Sequence, residues 1–189
     1  MKRKQYFAIE TDMKHRQFLQ LLTVVATTLF YTPDIGAQVL RAGHTVSLRC
    51  LGDIPGPRYL DGRTANGTVG LAPNLSSKFT GTKWRVVQAG DGVVALKCLG
   101  DIEGPRWLDG RTADGTVGLA PNTSRPFTGT RWQVLQVSYH SPYIVVLKCL
   151  GDIQGPRWLD GRTTNGTVGV AATTEPPFTG TKWEVVPID

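Results

Sequence analysis

Several things are scarce in this sequence, and each scarcity removes a class of protein. Beyond residue 37 Lys and Arg do not cluster: that part of the chain carries sixteen basic and twelve acidic residues, a mild +4, spread singly. Nucleic-acid binders usually concentrate such charge, so no nucleic-acid partner is expected. The three histidines, His15, His44 and His140, follow no pattern, and no Ser or Cys lies in a recognisable nucleophile motif. Nor is there a glycine-rich phosphate loop. The sequence therefore predicts no enzyme and no cofactor. Cysteine is limited to three, an odd number that cannot pair completely within one chain. No helical periodicity is evident after residue 37.

The apolar stretch FLQLLTVVATTLF at 18–30 is diluted by Gln20 and three threonines. It is short of the ~20 mostly apolar residues that a membrane helix needs. Preceded by basic residues up to Arg16 and followed by YTPDIGA, it reads as an export signal at 1–37 with cleavage after Ala37. Met13 offers a second start for a more compact signal. On this reading the mature chain, 38–189, is secreted.

What the sequence has instead is repetition. GPRYLDGRT at 56–64 returns as GPRWLDGRT at 104–112 and 155–163. The copies extend from Leu48, Leu96 and Leu147 to the Val after each TKW, TRW or TKW triplet. Cys50 to Cys98 is 48 positions and Cys98 to Cys149 is 51, the extra residues falling in QVSYHSPY against QAGDG. Repeats are thus placed at about 46–93, 94–144 and 145–189.

Abundant Gly (22) and Pro (12) with scattered Val, Thr and Trp favour short strands joined by tight turns. Each copy contains four such strands, in the first VSLRCL, PRYLDG, TVGLA and TKWRVV. Asn66-Gly67, Asp114-Gly115 and Asn165-Gly166 mark the hairpin between the second and third strands. Asp61-Gly62 and its equivalents are expected to bend or bulge the preceding strand. A period near 50 raises propellers and solenoids, but three blades are too few for the first, and the capping units of the second are missing. Twelve strands in three like units can instead close about a pseudo-threefold axis without free edges, which predicts a β-trefoil.

Strand alternation assigns side chains to faces. Trp84, Trp132 and Trp183 share a face with Val86, Val134 and Val185 and are expected in the core. Cys50, Cys98 and Cys149 align with Leu48, Leu96 and Leu147 and are read as buried thiols, with no metal. If Leu60, Leu108 and Leu159 face inward, then Tyr59 with Asp61, Trp107 with Asp109, and Trp158 with Asp160 face outward. A flat ring beside a carboxylate suits the CH face and hydroxyls of a sugar, and three copies add avidity. Arg63, Arg111 and Arg162 add donors. These nine residues are the candidate ligand site; if the rings point inward, Asp61 only shapes its turn and pairs with Arg63.

The triplication, the CLGD…GTVGL…TxW pattern and GxRYL/GxRWL resemble secreted β-trefoil modules of the ricin-B-type, fascin-like and arabinose-binding kinds. The resemblance covers about 44–189. It implies a lectin-like function, with glycans or cell-surface polysaccharide as partners and no catalysis, and it places Asp53, Asp101 and Asp152 near where ricin-type modules keep a sugar-binding Asp. The alternative is a protein-binding module, an inhibitor or scaffold, using the loops that differ between copies: NLSSK, NTSRP, TTEPP and SYHSPY.

Overall fold

The computed structural model describes residues 40–138 and 140–188. The expected signal and its cleavage point at Ala37 lie outside them. Among the described residues no helix is long and apolar enough to cross a membrane.

The chain is all-β. The first copy contributes β1 (Thr45–Cys50), β2 (Tyr59–Arg63), β3 (Thr68–Ala72) and β4 (Trp84–Gly90). The second contributes β5 (Val93–Cys98), β6 (Trp107–Arg111), β7 (Thr116–Ala120) and β8 (Trp132–Ser138). The third contributes β9 (Ile144–Cys149), β10 (Trp158–Arg162), β11 (Thr167–Ala171) and β12 (Trp183–Pro187). A single 3-10 turn precedes the last strand of each copy, at Thr80–Thr82, Thr128–Thr130 and Thr179–Thr181.

The strands are those expected; their assembly corrects the β-trefoil expectation. All twelve belong to one antiparallel sheet that closes on itself as a β-barrel. Ten of them form the circuit β11-β3-β2-β1-β12-β9-β8-β5-β6-β7, closed by β7 on β11, with β4 and β10 as two extra strands. β4 bridges β1 and β5, and β10 bridges β9 and β11. The reason lies in how the hairpins of the repeated motif are used. β3, β7 and β11 pair with one another through Thr68↔Gly118, Gly169↔Thr116 and Thr167↔Gly70. The three hairpin tips thereby join the same hydrogen-bonded sheet that the longer strands form.

The first and last strands complete the closure. β1 lies against β12 from Val46↔Pro187 to Cys50↔Trp183, so every copy supplies an edge that another copy covers.

The core follows the alternation read from the sequence. Leu48, Leu96 and Leu147, Leu60, Leu108 and Leu159, and the three cysteines are fully buried. Trp84, Trp132 and Trp183 are buried too, and each indole Nε1 donates to a backbone carbonyl 3.0 Å away, of Leu60, Leu108 and Leu159 respectively. The ring thus contributes apolar area while its polar atom is satisfied. All three cysteines are free thiols.

Two glycines of the repeat have identifiable jobs. A Cβ on Gly62 would lie 2.8 Å from Cys98 Sγ and 3.0 Å from the Trp84 ring, so the DGR glycine admits the core tryptophan. It does not bulge the strand: the register from Tyr59↔Ala72 to Arg63↔Thr68 is unbroken. The hairpin loop is four residues long, 64–67, and Gly67 at φ 70° takes the left-handed position that an L side chain avoids. Asn66 instead accepts from Thr68, through the backbone N–H at 3.1 Å and Oγ1 at 2.7 Å.

Candidate functional site at the repeat junctions

Where one copy meets the next, β2 turns toward the 3-10 segment of its own copy and the CLGDI loop of its neighbour. Between them is a pocket of about 160 Å3, lined chiefly by Asp61, Arg63, Lys78, Phe79, Thr80 and Ile102.

Asp61 is placed there by strand alternation opposite Leu60. Gly81 makes room for it, since a Cβ at that position would come 2.7 Å from Asp61 Oδ1. The residue is only 8% exposed. Among the described residues its carboxylate accepts no hydrogen bond; its one charged neighbour is Arg63, whose Nε lies 3.9 Å from Oδ2. Burial pushes its pKa up and the Arg63 charge pulls the other way. Asp109 and Asp160 repeat the arrangement at 8% and 7% exposure, raised by burial and opposed by Arg111 and Arg162.

The opposite wall belongs to the following copy. Thr64 Oγ1 donates to the Ile102 carbonyl at 2.6 Å, and the Asp101 N–H donates to Thr80 Oγ1 at 3.2 Å. Arg106 holds the same loop from within. Its Nη1 donates to the carbonyls of Cys98 (3.3 Å) and Gly100 (2.6 Å), and its Nη2 donates to that of Ile102 (3.1 Å). The Ile102 side chain is left 61% exposed at the pocket rim. The second junction repeats these links through Thr112 to Ile153 (2.6 Å) and Asp152 to Thr128 (3.1 Å). At the third, the Asp53 N–H donates to Thr179 Oγ1 at 3.3 Å.

The expected site residues are therefore distributed as follows. Asp61 and Arg63 line one pocket, but Tyr59 is not part of its lining. Tyr59, Trp107 and Trp158 are half-buried on the same strands. Each faces a cation on the adjacent strand, Arg49↔Tyr59, Lys97↔Trp107 and Lys148↔Trp158. The ammonium groups of Lys97 and Lys148 sit 5.7 and 5.5 Å from the indole centroids, within cation–π range. Asp53, Asp101 and Asp152 are exposed and use their backbone N–H groups to join copies.

Residue-by-residue reading missed Phe79, Ile102 and the loop-clamping arginines Arg58, Arg106 and Arg157. The recurrence of FTG, GDI and GPR in all three copies was the available signal.

Comparison with known proteins places the fold and nothing narrower. No protein-family model matches the chain, and no curated protein does. The closed ten-strand barrel, with the structural neighbour described next, overturns the expected kinship with the ricin-B-type, fascin-like or arabinose-binding trefoil modules. Among solved structures 135 chains match. One is the GlcNAcα1-4Gal releasing endo-β-galactosidase from Clostridium perfringens, with a TM-score of 0.57 at 13% identity, the match covering 77% of this chain and 33% of that one. The present chain thus spans about a third of that enzyme's length. At this identity the likeness is one of fold alone.

Proposed function

We propose that this chain is a non-catalytic, lectin-like β-barrel that binds glycans at its repeat-junction pockets. The observation that carries the reading is the Asp61 carboxylate: on a side chain 11% exposed, without a hydrogen-bond donor among the described residues, and lining a pocket beside Phe79 and Ile102. A sugar offers what this lacks, hydroxyl donors for the carboxylate and a CH face for the apolar wall. The pocket is well below the roughly 300–1,000 Å3 of sites that enclose drug-sized ligands. It suits one sugar unit, such as a chain end or branch. Three such contacts on one barrel convert weak individual binding into avidity for a repetitive surface. The basic-then-apolar leader of the sequence supports action outside the cell, on extracellular or cell-surface polysaccharide.

The test is a glycan panel probed with the wild type and with Asp61→Asn, Asp109→Asn and Asp160→Asn, singly and together. Losing a hydrogen bond to a charged group costs about 1.5–3 kcal/mol, so each pocket weakens about 10- to 100-fold and the triple variant loses avid binding. Unchanged binding by the triple variant contradicts the reading. Release of reducing sugar by the purified protein contradicts its non-catalytic part.

A second reading, protein binding through the variable loops, is favoured by one observation. Leu135 and Val137, just before the SYHSPY segment, and Tyr143, its last residue, are 39%, 48% and 42% exposed.

A further inference from the structure

The three junctions share a framework but differ in charge at two positions just before the conserved Phe. The first copy has Ser77-Lys78, the second Arg125-Pro126 and the third Pro176-Pro177. Lys78 lines the first pocket, where Asp61 already faces Arg63. Among the described residues the Lys78 ammonium has no ion-pair partner. The second junction differs, because Arg125 Nη2 lies 3.2 Å from Asp152 Oδ2 and its charge is answered. The third has no cation at either position and carries Glu175 next to them. The first junction therefore combines a hydrogen-bond acceptor, an apolar wall and a pocket-lining cation that no ion pair engages among the described residues.

Resting on the glycan-binding reading, we propose that the first junction is the site for acidic sugars, units bearing a carboxylate or sulfate group, whereas the other two take neutral ones. In this pose ligand hydroxyls donate to Asp61 and the anionic substituent reaches Lys78, whose compact ammonium takes up an anion without demanding a fixed planar geometry. Arg63 offsets the Asp61 charge, so the ligand anion is not opposed by an unbalanced carboxylate. The mild +4 of the chain beyond residue 37 favours the approach of anionic polymers in general but cannot distinguish one junction from another.

The experiment is titration calorimetry of the full chain with three probes: oligogalacturonate, a sulfated galactan oligomer and a neutral galactan oligomer. Wild type, Lys78→Gln and the control Lys83→Gln are compared, after thermal melting shows that all three fold alike. A partly exposed ion pair predicts about a two- to fivefold preference for the acidic probes, reduced by added salt. Lys78→Gln brings acidic-probe affinity down to that of the neutral probe, while Lys83→Gln keeps the wild-type preference. Preference for only one acidic probe identifies the anionic group. Three results overturn the inference: no preference in the wild type, a preference that survives Lys78→Gln, or equal loss in Lys83→Gln. In each of those the neutral probe still binds and the glycan reading stands. If no probe binds, the glycan reading itself fails for this class of sugar and the inference falls with it.

Discussion

A carboxylate on a largely buried residue that accepts no hydrogen bond is costly to keep ionised, and among the described residues Asp61, Asp109 and Asp160 are of this kind. Burial raises the pKa of Asp61, Asp109 and Asp160 above the ordinary value near 3.8, with the nearby arginines only partly offsetting it. Because the folded value lies above the unfolded one, each group contributes stability that is fully present below about pH 3.8 and is lost as pH rises through the folded value. Relative to the wild type, the triple Asp→Asn variant should therefore gain stability at pH 7, and that gain should shrink as pH falls toward 4. Thermal melts across pH 4–8 check this; a gain that grows on acidification would mean the carboxylates are stabilised when charged. Keeping three such residues at a cost is what binding sites do and what cores avoid. The cysteine thiols are pushed up by burial as well, but each has acceptors inside: the one S–H of Cys50 has the carbonyls of Gly161 and Gly180 both at 3.4 Å.

At the scale of the element, the loop of CLGDI matters more than the strand that follows it. Arg106 clamps three carbonyls of that loop, and the loop supplies Ile102 to the pocket of the preceding copy. Arg106→Lys keeps the charge but cannot span the same carbonyls with a planar fork. It should weaken glycan binding at the first junction by several-fold while Tm falls little; a large fall in Tm with unchanged affinity in the folded fraction would make the arginine purely structural. The strands themselves were legible in the sequence because Leu48, Leu60 and Trp84 alternate with polar neighbours. Two things were not. Gly62 looked like a bend because its steric reason, the Trp84 ring, lies 22 residues further along the chain. Tyr59 and Asp61 looked like one site because both leave the strand on the same side, yet the lysine or arginine opposite each ring and the glycine opposite each Asp separate their surroundings.

At the scale of the molecule, three copies were readable from the repeat and their closure from the need to cover edges, while the route of closure was not. Single-residue pairings such as Thr68↔Gly118 draw the hairpin tips into the sheet, and nothing in a period near 50 specifies them. Since β1 is covered by β12 and the pocket at the first junction takes residues from two copies, one copy alone has neither a sealed core nor a complete site. An isolated segment of residues 40–92 should be unfolded as a monomer by circular dichroism and amide-proton dispersion. A cooperative thermal transition in that monomer would contradict the shared-core account.

The most direct test of the central claim is a crystal structure of the full barrel with a bound oligosaccharide chosen from the panel. The account predicts sugar density in the junction pocket, a hydroxyl within hydrogen-bond distance of Asp61 and the ring against Phe79 and Ile102. Sugar stacked on Trp107 or Trp158, or lying along Leu135 and Val137, with the junction pockets empty would contradict it.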